Sequence, residues 1–265
     1  MPTYRLLLEY DGSKFAGWQI LPRGRTVQGT LLEALRRVTG EEELDLQGAG
    51  RTDAGVHALG QVASFRTRKP LRLERTRAEL EALLPADLAV RRLELAAPGF
   101  HARHDATARA YRYQIALRRS AFGKKVSWWV PGPLDLAAMA EAGQRFLGLG
   151  DFAVFTRRAK EQRGTNVLVE QLEVRQVEEV VLVRIVASHF LWNQVRRMVG
   201  VLVAVGRGEL APEAIPELLS GHKPLPPVAA PAAGLFLEAV RYAGEPFQLP
   251  PLLPVGLPLW QLPGP

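Results

Sequence analysis

Twice along the chain the apolar pattern passes through the same order of elements, strand, helix, strand, strand, helix, strand. That repeat constrains the fold more than any single residue. In the first pass, residues 3–10, TYRLLLEY, are rich in strand formers and stop at the turn pair Asp11-Gly12. Thr26 then precedes a helical run with Leu31, Leu32, Leu35 and Val38 on one face and Gly40 as its stop. Residues 44–49 and 60–67 read as short strands around a glycine-rich connection, 75–84 as a helix ended by Pro85, and 88–95 as an alternating strand. The second pass predicts a strand at 107–117, a helix at 134–147, strands at 166–177 and 180–187, a helix at 193–206 and a last strand at 234–241. Residue identity between the two passes is negligible, so only the order repeats. It predicts an α+β protein of two ferredoxin-like (split βαβ) halves whose antiparallel sheets join, with helices on one face and a basic cleft between the halves. The halves are expected at 1–100 and 101–243, parted by the turn-rich stretch from Pro98 to Arg103. Residues 244–265 hold seven prolines and one acid. That excludes helix and central strand and leaves either a tail packed on the surface or loose chain.

The chain is long enough for such a pair, since 265 residues allow one large domain or two of about 100 to 130. With 47% hydrophobic and 23% charged residues it has the makings of an ordinary globular core. The absence of cysteine removes disulfide frameworks, Cys-rich zinc sites, iron–sulfur clusters and thiolate nucleophiles together. No apolar stretch reaches the roughly 18 residues of a membrane span. The opening MPTYRLLLEYDG lacks the basic region and cleavage site of a secretory signal, so a cytoplasmic location is expected. Lys and Arg number 34 against 27 acids, a net charge of +7. Such a balance favours polyanionic partners, RNA or DNA. Arg supplies 28 of the 34, and its planar fork grips phosphates at two points and stacks on bases.

The segment that stands out chemically is GAGRTDAGVHA, residues 48–58. Small residues crowd around Arg51, Thr52 and Asp53, which suits a tight turn approached closely by another molecule. A dinucleotide fingerprint needs glycine where Asp53 stands, and a Walker loop needs Gly-Lys-Ser/Thr, so neither phosphate loop applies. What remains is a catalytic aspartate beside a cation, ionised and available as nucleophile or base. The competing reading is that Asp53 only hydrogen-bonds its own turn. His101 and His104 form an H-x-x-H pair with no further histidine or acid cluster, which argues against a metal site. Tyr111 and Tyr113 share one face of a strand, either in the core or stacked on a base. Trp128-Trp129 reads as structural, and Arg196 and Arg197 open a helix where they either cradle phosphate or face solvent.

The loop GAGRTDAGVHA is similar to the active-site loop of the bacterial tRNA pseudouridine synthase A family. YDGSKFAGWQ, TVQGTLLEAL, FHARHDATARAYRYQI, DFAVF, HFLWNQVRRMVGVLVAVGRGEL and APAAGLFL resemble that family's blocks in the same order, over nearly the whole chain. The resemblance implies a homodimer of ferredoxin-like halves with no cofactor and no metal. It also implies isomerisation of uridine to pseudouridine in the anticodon arm of tRNA, at nucleotides 38 to 40. By the same likeness Asp53 is the catalytic aspartate, Tyr111 the tyrosine packed on the target base and Arg51 the loop arginine. Arg196 is the arginine paired with the aspartate, and Leu235 the aliphatic floor of the pocket. The chain departs from the family at Ser188, His189, Trp192, Asn193 and Gln194, and in its proline-rich end.

The chemistry agrees with that set. Moving uracil from an N1–C1′ to a C5–C1′ bond involves no redox change and no outside reagent. The base must leave its helix, at a cost of a few kcal/mol, which arginine–phosphate contacts offset. A carboxylate must act at the sugar, and a flat aromatic with an aliphatic platform suits a base that has to rotate. Two rivals share these features: a noncatalytic RNA-binding protein or chaperone, and an N-glycosidase that leaves an abasic site.

Overall fold

The structure, a computed structural model, describes residues 1–156, 164–226 and 229–257. In chain order the elements are β1 (Thr3–Tyr10), α1 (Val27–Thr39), β2 (Gln47–Gly48), β3 (His57–Arg66), α2 (Leu73–Leu83), β4 (Leu88–Leu95) and β5 (Ala106–Ala116). Next come β6 (Trp128–Trp129), α3 (Leu136–Gln144), β7 (Gly148–Asp151), β8 (Asn166–Val177) and β9 (Val180–Ala187). The last are α4 (Gln194–Gly206), α5 (Ala214–Leu219) and β10 (Leu235–Tyr242). The architecture is mixed α+β. Two compact units divide it: Met1–Arg109 with Phe236–Leu249, and Ala110–Leu235 with the chain from Pro250. The sequence places the last strand with the second half, whereas in contacts all of β10 but its first residue groups with the first unit.

In the first unit the strand order is β4–β1–β3, antiparallel throughout, with β2 antiparallel on β3. Alternation in β1 turns Tyr4, Leu6, Leu8 and Tyr10 inward, all at most 3% exposed. Each such side chain contributes about 1.5 to 3 kcal/mol through burial. The helix α1 starts where expected. Thr26 accepts from the Gly29 N–H at 3.2 Å, and Gly40, at φ 70°, ends the helix. Two strands differ from expectation. β3 begins at His57, where Ala58 pairs with Tyr10 of β1 and where Phe236 and Leu237 of β10 pair in parallel with His57 and Ala58. β2 shrinks to two residues and occupies the same edge further along, opposite Ala63 and Ser64. A partner some 180 residues away leaves no mark on the local pattern of residues 44–67.

In the second unit the order is β5–β9–β8–β7, with β6 parallel on β5. β9 is buried along its whole length and α4 is buried on nearly every side, so both lie in the core. Three elements escape the sequence reading, the two-residue β6 among them. β7 is glycine-rich, GLGD, and takes its form from pairing with β8; α5 carries Pro216 in its first turn, where a missing N–H costs nothing. The proline-rich end is packed as far as it is described. Arg112 donates to the carbonyls of Leu253 at 2.7 Å and Pro251 at 3.3 Å, and Arg184 to Pro250 at 2.5 Å. Gln114 exchanges two bonds with Val255, and Leu252 joins Val180 and Leu182 in one buried cluster. A chain of prolines has carbonyls without internal partners, which is what two buried guanidiniums need. Residues 258–265 of that end lie outside the described residues.

Candidate active site

The loop at 48–58 leaves β2 and returns into β3, tied at nearly every step. Ala49 N–H donates to the Val62 carbonyl at 2.8 Å, and the Ala49 carbonyl accepts from Arg109 Nη2 at 2.9 Å. Gln61 Nε2 donates to the Gly50 carbonyl at 2.7 Å. The buried Thr52 hydroxyl lies 2.8 Å from that of Tyr10, and the Thr52 carbonyl accepts from Trp18 N–H at 3.0 Å. The chain then turns, with Val56 N–H donating to the Asp53 carbonyl at 3.1 Å and Gly55 taking a φ of 78°. Two other glycines let residues 11–18 lie flat against it. A Cβ at Gly17, whose φ is 104°, would stand 2.7 Å from the Thr52 carbonyl oxygen, and one at Gly12 would stand 1.9 Å from that of Val56. The outcome is a stiff loop from which Arg51 is exposed and Asp53 half-buried.

Burial pushes the Tyr10 phenol up to about 12, against its hydrogen bonds with Thr52 and Gln61, which lower it. It therefore stays neutral and acts as a fixed hydrogen-bonding post. Arg109, 9% exposed, spans three carbonyls, those of Ala49, Arg103 and Ala106, and so ties the loop to the turn at 101–105. That turn holds the H-x-x-H pair, whose rings lie 4.2 Å apart. Burial and the neighbouring His104 hold the His101 imidazole low, and its Nδ1 accepts from Arg103 N–H at 3.1 Å.

In the second unit β5 turns Tyr111 and Tyr113 inward, at 7% and 0% exposure. The Tyr111 ring stands edge-on to Phe190, 5.1 Å between centroids. Tyr113 donates to the Pro231 carbonyl at 2.7 Å and meets Trp128 edge-on, which gives that tryptophan a structural place. Arg196, at the start of α4, donates through Nε to the Ala230 carbonyl at 2.7 Å and through Nη1 to Asn193 Oδ1 at 2.9 Å. Arg197 donates to the Val154 carbonyl at 2.7 Å. Residues 230–235 thus touch Arg196 at Ala230 and Tyr113 at Pro231. A Cβ at Gly234 would stand 2.6 Å from the Tyr113 ring, and the stretch ends in the buried Leu235. Asp53 and Arg51 share one loop, and Arg196 and Leu235 flank one segment. Tyr10, Gly17, Arg109 and Phe190 enter as supporting residues that strand and loop patterns had hidden. Asn193 had shown only as a departure from a family pattern.

An α+β chain with a half-buried carboxylate on a stiff small-residue loop, and an arginine gripped at a helix start, has the makings of an enzyme that works by positioning rather than by a nucleophilic thiol. The family described as tRNA pseudouridine synthase matches residues 7–105 and 142–243. A tRNA pseudouridine synthase A of Moorella thermoacetica is 45% identical over 249 residues, covering 91% of this chain and 100% of its own length. Its counterparts in Geobacter sulfurreducens, at 44% over 246 residues, and Syntrophotalea carbinolica, at 42% over 248, cover 91% and 92% of this chain and 100% and 98% of their own lengths. The chain belongs to the tRNA pseudouridine synthase family and is an isomerase that converts uridine to pseudouridine in tRNA. Among solved structures, a Cbf5-Nop10-Gar1 complex aligns over 75% of this chain and 54% of its own at 14% identity, with a TM-score of 0.31, too low to argue from. Among the described residues no helix is long and apolar enough to cross a membrane.

Proposed function

We propose that this isomerase acts on the anticodon arm of tRNA, at nucleotides 38, 39 and 40, with Asp53 as its catalytic carboxylate. The base is everted from the stem before chemistry. Asp53 acts at the ribose, by attack on C1′ or by removal of the C2′ proton, and the N1–C1′ bond breaks. N1 leaves with the bonding pair, and the freed uracil turns on Tyr111 above and Leu235 below. C5 bonds to C1′ as the Asp53 ester departs or as the C2′ proton is returned. C5 then loses a proton and N1 gains one, so that product and substrate have one formula. Arg196 pairs with Asp53 and orients it, and Arg51 contacts the RNA backbone. The reading includes two ferredoxin-like halves, a proline-rich end, a cytoplasmic homodimer, and no metal or cofactor. Support for the first half is the order β4–β1–β3 with β2 antiparallel on β3, after the chain order βαββαβ.

The observation that carries the assignment is the setting of Asp53. Thr52 before it is fixed by buried bonds and its own carbonyl closes the turn with Val56 N–H, while its side chain keeps access to solvent. A turn that merely closed on itself would need neither the Tyr10 post nor the approach of Gly17. The test is digestion of treated tRNA followed by chromatography. A product of unchanged mass and altered retention at nucleotides 38 to 40 is expected. An abasic site would replace isomerisation with base release, and unmodified tRNA bound without turnover would leave a binding protein.

A further inference from the structure

Among the described residues two non-glycines take a positive φ, Glu178 at 51° and Asn193 at 65°. Glu178 sits in the tight turn between β8 and β9, where such a conformation is usual. Asn193 sits in no hairpin and is the N-cap of α4. Asparagine is favoured at that place because its side-chain oxygen accepts from an N–H of the first turn, yet no such bond is made. Its Oδ1 accepts instead from Arg196 Nη1 at 2.9 Å. Reinforcement of the helix start falls to Gln194, which is fully buried and whose Oε1 accepts from Leu191 N–H at 2.9 Å. Arg196 is held again from the other side. Its Nε donates to the Ala230 carbonyl at 2.7 Å, and its own carbonyl accepts from Ala230 N–H at 2.9 Å. Two donors of one planar group on two fixed acceptors set the plane of the guanidinium. A left-handed backbone and an unused cap are each unfavourable, and what they make room for is the bond to Arg196.

We propose that Asn193 is a positioning residue that aims Arg196, an inference that rests on the reading of Arg196 as the partner of Asp53. An uncharged amide is suited to the task, because it orients the guanidinium without cancelling the charge that Asp53 needs.

Three variants test this. Asn193→Gly keeps the left-handed backbone and removes Oδ1. Its kcat should fall about tenfold, with KM for tRNA within about twofold and a thermal midpoint no lower than that of the parent. Asn193→Asp keeps an oxygen at the same place and should recover kcat to within about threefold of the parent. Wild-type kcat in Asn193→Gly would overturn the proposal. So would parallel losses of kcat and thermal midpoint in both variants. Arg196→Ala separates the two levels: if it is inactive while Asn193→Gly is fully active, only the inference fails. If Arg196→Ala itself turns over normally, the reading beneath it fails as well.

Discussion

The loop that carries Asp53 and the helix that carries Arg196 both hold one side chain still, by opposite means. In the first unit the work is done by backbone and by what is missing from it. Gly12 and Gly17 have no Cβ, so segments meet at distances that a methyl group would forbid, and carbonyls of the loop take bonds from Gln61 and Arg109. In the second unit the arginine stands in the first turn of α4 and is aimed by bonds from its own head group to Asn193 and Ala230. Stiffness of the first kind fails when a side chain is added, whereas aim of the second kind fails when a bonding group is removed.

The largest effect expected anywhere in the chain is at Asp53. Asp53→Asn changes no backbone bond of the loop and should lower single-turnover product formation by about four orders of magnitude, with tRNA affinity within about threefold. Arg196→Ala removes a supporting charge rather than the reacting group and should lose about two to three orders. An Arg196→Ala loss equal to that of Asp53→Asn would erase the distinction between a reacting loop and an aiming helix.

Next comes the end of the chain. Cutting after Leu249 removes the carbonyls that receive Arg112, Arg184 and Gln114 and uncovers Val180 and Leu182. Water reaches the exposed groups, so the loss is below the sum of the separate bonds, at about 3 kcal/mol by denaturant titration. It should appear in the second unit alone, with amide exchange in the loop at 48–58 unaltered. Exchange that rises equally in that loop would show that the two means of support are not independent.

Gly17→Ala follows, at about 2 kcal/mol, since its φ of 104° disfavours any side chain and the new methyl meets the Thr52 carbonyl. The displaced atoms adjoin Asp53, so kcat should fall with the thermal midpoint while KM changes little. Unchanged kcat would mean that the close approach stabilises the unit without setting the carboxylate.

These contrasts explain what was legible. Small residues around a charge announce themselves, so the tight turn at 48–58 could be read directly, while the role of Asp53 came only with the family resemblance. β1, α1, β4, β8 and β9 could also be read, since their patterns are local and their ends are capped or turned by their own residues. The pairing of β10 on β3 could not be read, because it joins residues far apart in the chain. Arg109 and Arg112 look like any arginines of a strand until the carbonyls that surround them are known. Tyr10 was visible as a strand residue, but its role as a post for Thr52 depends on a contact 42 residues away. The departure at Asn193 was plain in sequence, and its meaning was not, since a backbone angle and a bond three residues on give it sense.

The smallest effect separates titrating from non-titrating support. Asp87 receives Arg25 Nη1 at 2.8 Å and Nη2 at 2.5 Å, and that guanidinium also lies 4.0 Å from the centre of the Phe15 ring. The pair ties down the segment that bears Gly17. Its hydrogen bonds with Arg25 hold the Asp87 carboxyl below the usual carboxylate range, against burial, which raises it. A depressed folded value means stabilisation that is complete above the unfolded value near about 3.9 and is lost as pH falls through the folded one. Both groups are partly exposed, so Asp87→Asn should cost under about 1 kcal/mol at neutral pH, and the difference from the parent should close in strong acid. The bonds from Arg112 to the Leu253 and Pro251 carbonyls involve no carboxyl group. Acid should therefore loosen the segment that carries Gly17 before it loosens the packed tail, and amide exchange followed as pH is lowered should register them in that order. The opposite order would place the more sensitive support in the second unit.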